Sequence, residues 1–327
     1  MKKDTASFVR RCHACQIHGN LLHQPTQALQ DMRTPWPFHT WGLDLIRPIR
    51  PASNRYIWII TATEYFTKWV EAVPLRNATG AVIANFIREY LVCRFGIPYK
   101  IVSDNGTPFI NKQVHSTLVG YGIKDRRSTP YYPQGNGQAK ATNKMLIRIL
   151  SRIVHEYEGG WSTHLPDALC AYRTSSRTAT GFSPYSLVYG SEAVSLVELL
   201  VPSARVVLIN DVEWDADTCA IMRAFDLEAA EELRNEASRC IQLYQGRTTR
   251  AFNKRVNPRI FKRGDIILRT AEHVRRQLPG PSKFSPQWEG PFLVSQAHES
   301  GYYELQDIDG NSGHGVVNGK WLKLYHC

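Results

Sequence analysis

From Trp41 onward, the hydrophobic and polar positions follow the periods of an α/β domain. "WGLDLI" is a short apolar run with one acid inside it, and "YIWIITATEYF" and "KWVEAVPL" read as two more strands of a meander. "TGAVIANFIREYLVCRFG" predicts a helix with Val82, Phe86, Ile87 and Tyr90 on one face and Gly96 closing it. "YKIVSDNG" is the next strand and ends in an Asp-Asn-Gly turn; a helix follows over 112–121, then a short strand near Ile123. A Pro/Gly-rich loop, "YYPQGNG", feeds a long helix striped by Leu146, Ile149, Leu150, Ile153 and Val154. "HLPDALCAYRTS" is a further helix, and "TGFSPYSLVYG" a compact appendage. Residues 217–246 read as a long charged helix with a sparse seam of Ile221, Phe225, Leu233 and Ile241. Beyond it, "RGDIILR", "GPFLVSQA" and "GYYELQDIDG" are short strands between Gly/Pro turns, the spacing of a small β-barrel.

Charge changes this picture more than bulk composition does. The 327-residue chain carries a formal +11, which points to a polyanionic partner. Residues 246–283 hold eleven Lys/Arg against Asp265 and Glu272, a local net of +9. Residues 211–236 hold nine Asp/Glu against Arg223 and Arg234, a local net of −7. Seven irregularly spaced cysteines, with only Cys12 and Cys15 close together, predict free thiols in a reduced intracellular compartment. The start "MKKDTASFVRR" lacks an apolar core, and the longest apolar run, Tyr56 to Ala62, is too short to cross a bilayer. No membrane partner is expected.

Two acids stand in expensive places. Asp44 has aliphatic neighbours on both sides, and an ionised carboxylate there is costly unless paired or metal-bound. Asp104 closes "KIVSD". Singly, one reads as an edge-strand aspartate facing water and the other as ordinary turn chemistry. As a pair on strands of one sheet they could converge on Mg²⁺ or Mn²⁺, the hard cations of phosphoryl transfer. That chemistry needs a third acid on a nearby helix. The long helix instead carries Lys140 in its opening turns, with Asn136, Asn143 and Lys144 as neighbours, and Glu156 and Glu158 lie more than four turns away. A cation is also disfavoured at a helix start by the backbone dipole.

The chain resembles integrases of gypsy-type LTR retrotransposons, as encoded in plant pol polyproteins. The resemblance rests on "CHAC", "PWPFHTWGLDLI", "ATEYFTKWVEAVPL", "FIREYLVCRFGIP", "IVSDNGTPF", "YYPQGNGQA", "AYRTSSRTATGFSPYSLVYG" and "WEGPFLV". It implies an α/β fold: an RNase H-like integrase core, a mixed five-stranded sheet with helices, then a helical linker and a small C-terminal β-barrel. The implied domains are a remnant zinc module (1–34), the catalytic core (35–205), an acidic helical linker (206–250) and a basic segment with a GPY/F-type barrel (251–327). In the family, two aspartates and a glutamate bind the metals, the glutamate following the second aspartate after 35 residues. Asp44 and Asp104 match the first two, and Lys140 falls in the glutamate's place. At ~4 Å and an effective dielectric of ~20, a unit charge and a divalent ion interact by about 8 kcal/mol. Exchanging Glu for Lys reverses that sign, so Mg²⁺ or Mn²⁺ binding at Asp44 and Asp104 is expected to weaken severely. An ammonium could itself pair with the two aspartates.

Two further departures follow. The family's zinc module has two histidines before two cysteines; Cys12 and Cys15 match the second half, but no histidine stands among residues 1–11. His13, His18 and His23 have unlike spacing, so a Zn²⁺ site is not expected, and residues 1–34 read as a truncated, poorly ordered module. Arg47 replaces the glycine usual in the family and adds positive charge near Asp44.

The resemblance implies DNA as partner, self-association and a nuclear location. The basic segment interleaves Arg247, Arg250, Lys254, Arg255, Arg259, Lys262 and Arg263 with Phe252 and Phe261, a pattern for salt-sensitive phosphate contacts or for a solvated linker. Gln134, Asn136 and Gln138 match the loop that family members place near DNA. Trp288 and Phe292 read as barrel core. Three readings stand: an integrase-derived chain with a damaged site, a polynucleotidyl transferase completed by a partner subunit, and an interaction protein using the acidic helix.

Overall fold

The computed structural model describes residues 2–21, 34–46, 48–128, 136–157, 159–194, 198, 201, 215–254, 256, 259–275, 278, 282, 284–298, 301–310 and 312–327. Two compact units are formed, residues 31–246 and residues 1–30 with 247–327. Two short helices, α1 (Lys2–Arg11) and α2 (His13–Ile17), open the chain. Strands β1 (Thr40–Ile46), β2 (Trp58–Glu64) and β3 (Val70–Leu75) then run antiparallel, and α3 (Gly80–Phe86) continues through a π-helical turn, Ile87–Val92. β4 (Lys100–Asp104), α4 (Lys112–Gly120) and β5 (Lys124–Ser128) add parallel pairs, giving one sheet in the order β3-β2-β1-β4-β5. Helices α5 (Gly137–Glu156), α6 (Leu165–Thr174), α7 (Pro184–Tyr189) and α8 (Ala216–Asn253) follow.

The period-2 alternation of the strands sorts the core into two layers. Trp41, Leu43, Ile60, Ala62 and Ile101 pack with Ile83, Phe86, Ile87, Leu91, Val114 and Leu118 on one face. Ile59, Val70 and Ala72 pack with Leu146, Leu150, Leu165 and Leu169 on the other. Asp44 is in phase with Gly42 and Ile46, so it faces the side that α5 covers. In the first layer the helical stripe is shifted from expectation. Leu91 and Ile83 are fully buried, whereas Val82 and Tyr90 pack only at its margin. The widened π turn brings Leu91, rather than Tyr90, beneath Ile87.

The expected seam of α8 is corrected more sharply. Ile221 and Phe225 are 58% and 62% exposed, Leu233 and Ile241 are half-buried, and the fully buried positions among the described residues are Ala230 and Ala237. A small residue is needed because Ala230 closes on Gly190, whose φ of +85° caps α7; a Cβ on Gly190 would meet the Ala230 Cβ at 3.0 Å. Arg234, one turn on from Ala230, donates to the carbonyls of Leu187 and Val188. Hydrophobicity alone places the first half of the seam wrongly, because backbone-close alanines do the tightest packing.

In the second unit, β6 (Ile266–Thr270), helix α9 (Glu272–Arg275), β7 (Trp288–Ala297), β8 (Tyr302–Asp307), β9 (Ser312–Asn318) and β10 (Leu322–Leu324) form a small antiparallel sheet, order β10-β6-β7-β8-β9. It closes as a half-barrel over Phe261, Ile267, Phe292, Val294, Tyr303 and Leu305. Trp288 is 1% exposed, a core residue as expected. The expectation of a poorly ordered N-terminus is corrected for residues 2–21. The Gln16 side chain bonds His326 through both amide ends, at 2.8 and 2.9 Å, and the Trp288 Nε1–H donates to the Gly19 carbonyl at 2.9 Å. These polar ties come from the far end of the chain, which local sequence does not reveal. Among the described residues no helix is long and apolar enough to cross a membrane.

Candidate active site

The parallel register of β1 on β4 pairs Thr40 with Lys100 and Gly42 with Val102. The same offset carries Asp44 alongside Asp104 at the strand ends. Asp44 is 8% exposed, and one carboxylate oxygen accepts the Leu45 amide at 3.1 Å. Its other oxygen accepts the Asn143 Nδ2 at 3.0 Å. Thr61, opposite Asp44 in β2, donates to the Asn143 Oδ1 at 2.8 Å and stands 3.2 Å from the Asp44 carbonyl. Asn143 is thereby fixed in orientation, with its amide donor aimed at the acid.

Asp104 accepts the Gly106 amide at 2.9 Å, and a Cβ on Gly106 would come within 2.8 Å of that same oxygen. The short Asx turn after the strand thus depends on glycine.

The start of α5 is held from beneath. Asn136 is fully buried; it accepts from the Tyr65 hydroxyl at 3.0 Å and donates to the Leu43 carbonyl at 2.8 Å. Tyr65 lies across β1 because position 42 is glycine; a Cβ there would sit 2.5 Å from the ring. Lys68, beside the buried Glu64, donates to Gln138 and to the Tyr65 carbonyl. Asn136, expected at DNA, is instead a packing bridge with both amide ends occupied. Gln138 is half-buried and engaged by Lys68.

Lys140 is exposed on the first turns of α5, and no ion pair is recorded for it among the described residues. It does not form the direct pair with the two aspartates that sequence allows: Asn143, one turn along, fills that place at Asp44. Its charge is felt nonetheless. Burial and then the Asp104 charge push the Asp44 carboxyl above the ordinary carboxylate range, while the Leu45 amide, the Lys140 ammonium and Asn143 pull it back.

This donor set does not fit a divalent cation. Two carboxylates remain, with both oxygens of Asp44 and one of Asp104 already accepting amide N–H groups, and the residue in the third acid's sequence position is a cation. Among the described residues no group of three His, Cys, Asp or Glu could hold a metal. At the N-terminus, Cys12 and Cys15 are free thiols that share a hydrogen bond. The Cys12 thiol is lowered first by the Cys15 backbone N–H and the Cys15 thiol is raised by that partnership. His13 stands 3.3 Å from the Tyr325 hydroxyl, and His23 lies outside the described residues.

Of the basic positions, Arg247, Arg250, Lys254, Lys262 and Arg263 are exposed, while Arg259 is half-buried and donates to the Leu322 carbonyl at 3.2 Å. Gln134, Arg255, Arg47 and Glu158 lie outside the described residues.

Residues 35–133 match the integrase core domain. That match takes in Asp44 and Asp104 and ends before Lys140. Residues 261–326 match a domain of unknown function, DUF8803. The Tf2-3 and Tf2-4 transposon polyproteins of Schizosaccharomyces pombe are each 25% identical over 312 residues, 93% of this chain and 22% of theirs. The chain thus spans about a fifth of the length of the curated relatives it matches. A simian T-cell lymphotropic virus intasome, solved in complex with PP2A regulatory subunit B56 gamma, aligns over 100% of this chain and 92% of its own, with TM-score 0.60 and 15% identity. That likeness shows the fold: an integrase-type core sheet and a small C-terminal barrel.

Two residues of the site escaped sequence reasoning as partners: Thr61 and Asn143. A threonine inside "WIITATE" reads as a strand former, and only the β1–β2 register shows that it faces Asp44.

Proposed function

We propose that this chain is a retroelement integrase-like protein of the gypsy type that binds DNA but is severely impaired in joining it. The observation that carries the reading is that Lys140 stands one turn before Asn143, whose amide donates to the Asp44 carboxylate, so that the lysine charge acts on Asp44 against the effect of Asp104. In such a pocket the two aspartates offer hard oxygens and the helix offers a cation, so metal binding is opposed where transfer chemistry needs it. The rest of the architecture is kept. The helix start is clamped through Tyr65, Asn136 and Gln138, and exposed Arg and Lys side chains on the last turns of α8 and before β6 supply phosphate contacts. The domain limits given above, with the core at 35–205, and a nuclear location belong to the same reading.

The test compares strand transfer of retroelement-end DNA by the purified chain and by Lys140→Glu. Activity only in the reverted chain supports the reading, and equal activity in both overturns it. Activity that appears only when the two chains are mixed, with the donor site traced to the unreverted chain, favours a transferase completed by its partner.

A further inference from the structure

Among the described residues, one stripe of helix α8 is left exposed. Positions 221, 225, 228 and 232 recur at i, i+4, i+7 and i+11, opposite the buried Ala230 and Ala237. Ile221 and Phe225 are mostly exposed, and Met222 beside them is 45% exposed. Glu228 and Glu232 continue the stripe, and Glu231 and Glu236 flank it in a hollow of net negative charge whose one cation, Arg239, pairs with Glu236 at 3.1 Å. The stripe is an apolar head followed by a negative tail.

The other unit contains the matching shape. Between the N-terminal helices and the last strand of the small sheet lies a cleft of about 530 Å³. Val9, Ile260 and Leu324 are exposed along it, and Arg10, Arg259 and Lys323 supply positive charge. The Lys323 ammonium is held in place, donating to the Gln16 carbonyl and lying 4.3 Å from the Trp288 ring centroid. Scattered exposed aliphatics need no explanation. Here three of them border one basic cleft, and two line one face of an acidic helix.

We propose that the α8 stripe of one copy docks into the cleft between the N-terminal helices and the C-terminal sheet of a second copy, with Phe225 and Ile221 against Val9, Ile260 and Leu324. Opposite charge selects the partner: Glu228 and Glu232 meet Arg10 and Arg259, and the chain itself carries both halves of the contact. Because the two surfaces differ, the contact is head-to-tail rather than two-fold, and each copy keeps one free half until a ring or chain closes. The charged component makes association weaken as salt rises. This inference is independent of the fate of the active site.

The test is sedimentation of the full chain without DNA, with Phe225→Glu and Arg10→Glu variants. The wild-type chain is expected to self-associate with concentration, and each variant to weaken association by about tenfold or more. An equimolar mixture of the two variants is expected to recover dimers but nothing larger, because one intact stripe meets one intact cleft; this also shows that each variant is folded. A photo-crosslinker at position 225 in a mixture of light and heavy isotope-labelled chains should join light to heavy at residues around Val9, Ile260 or Leu324. A wild-type chain that stays monomeric, association untouched by both variants, a mixture that fails to recover dimers, stripe-to-stripe cross-links, or cross-links confined to one label would each overturn the proposal.

Discussion

Replacing Asn143 with leucine removes the amide that ties Asp44 to Thr61. Two contacts are lost: a 3.0 Å donation to a buried carboxylate and a 2.8 Å acceptance from a buried hydroxyl. A hydrogen bond to a charged group contributes about 1.5–3 kcal/mol and a neutral one about 1, so the loss at neutral pH should be roughly 2–4 kcal/mol. The cost depends on pH, with a definite sign. Asp44's folded pKa lies above its unfolded value, chiefly through burial and then the Asp104 charge. Between those two values the folded chain binds the extra proton, so stability falls as pH rises through that window. Asn143 opposes the shift, and its loss carries the window further upward. Urea unfolding of both chains at pH 5 and pH 7 measures this, with the wild-type chain cancelling every other titrating group. The destabilisation by Asn143→Leu should be larger at pH 7 than at pH 5. An equal loss at both values, or one below about 0.5 kcal/mol, would refute the claim that Asn143 stabilises the ionised acid.

Glu71, 2% exposed, holds Arg94 at 2.8 Å and Arg173 at 3.0 Å; Glu71→Ala strands a partly buried Arg173 and should cost about 3–5 kcal/mol, read by thermal unfolding. A loss under 1 kcal/mol would place the network among neutral surface pairs. Changing the exposed Arg247, Lys254, Lys262 and Arg263 to alanine together should weaken duplex DNA binding and reduce the slope of log K against log salt by about 3–4. An unchanged slope would remove these residues from the DNA contact.

Much of the core was legible because its strands are continuous apolar runs and its turns carry glycine, as at "SDNG". The pairing of Asp44 with Asp104 was open to reading as two acids at strand ends, but assigning Lys140 to the third acid's place took family resemblance, since 60 and 36 residues separate the three along the chain. What stayed hidden depended on register and distance. Thr61 and Asn143 look like ordinary strand and helix residues until β1 pairs with β2. Strands β9 and β10 were missed because "SGHGVVN" is glycine-rich and "LKL" is three residues long. The seam of α8 misled in its first half: Ile221 and Phe225 face outward while Leu233 and Ile241 are half-buried, and the tightest packing is made by alanine beside a hydrogen-bonded arginine.

Titrating Mn²⁺ calorimetrically into the intact chain and into Lys140→Glu tests most directly whether a cation has displaced metal from the site. The account predicts no saturable binding at Asp44 and Asp104 in the wild-type chain and clear binding in the variant, lost again in Lys140→Glu with Asp44→Asn. Equal, Asp44-dependent affinity for Mn²⁺ in both chains would contradict it.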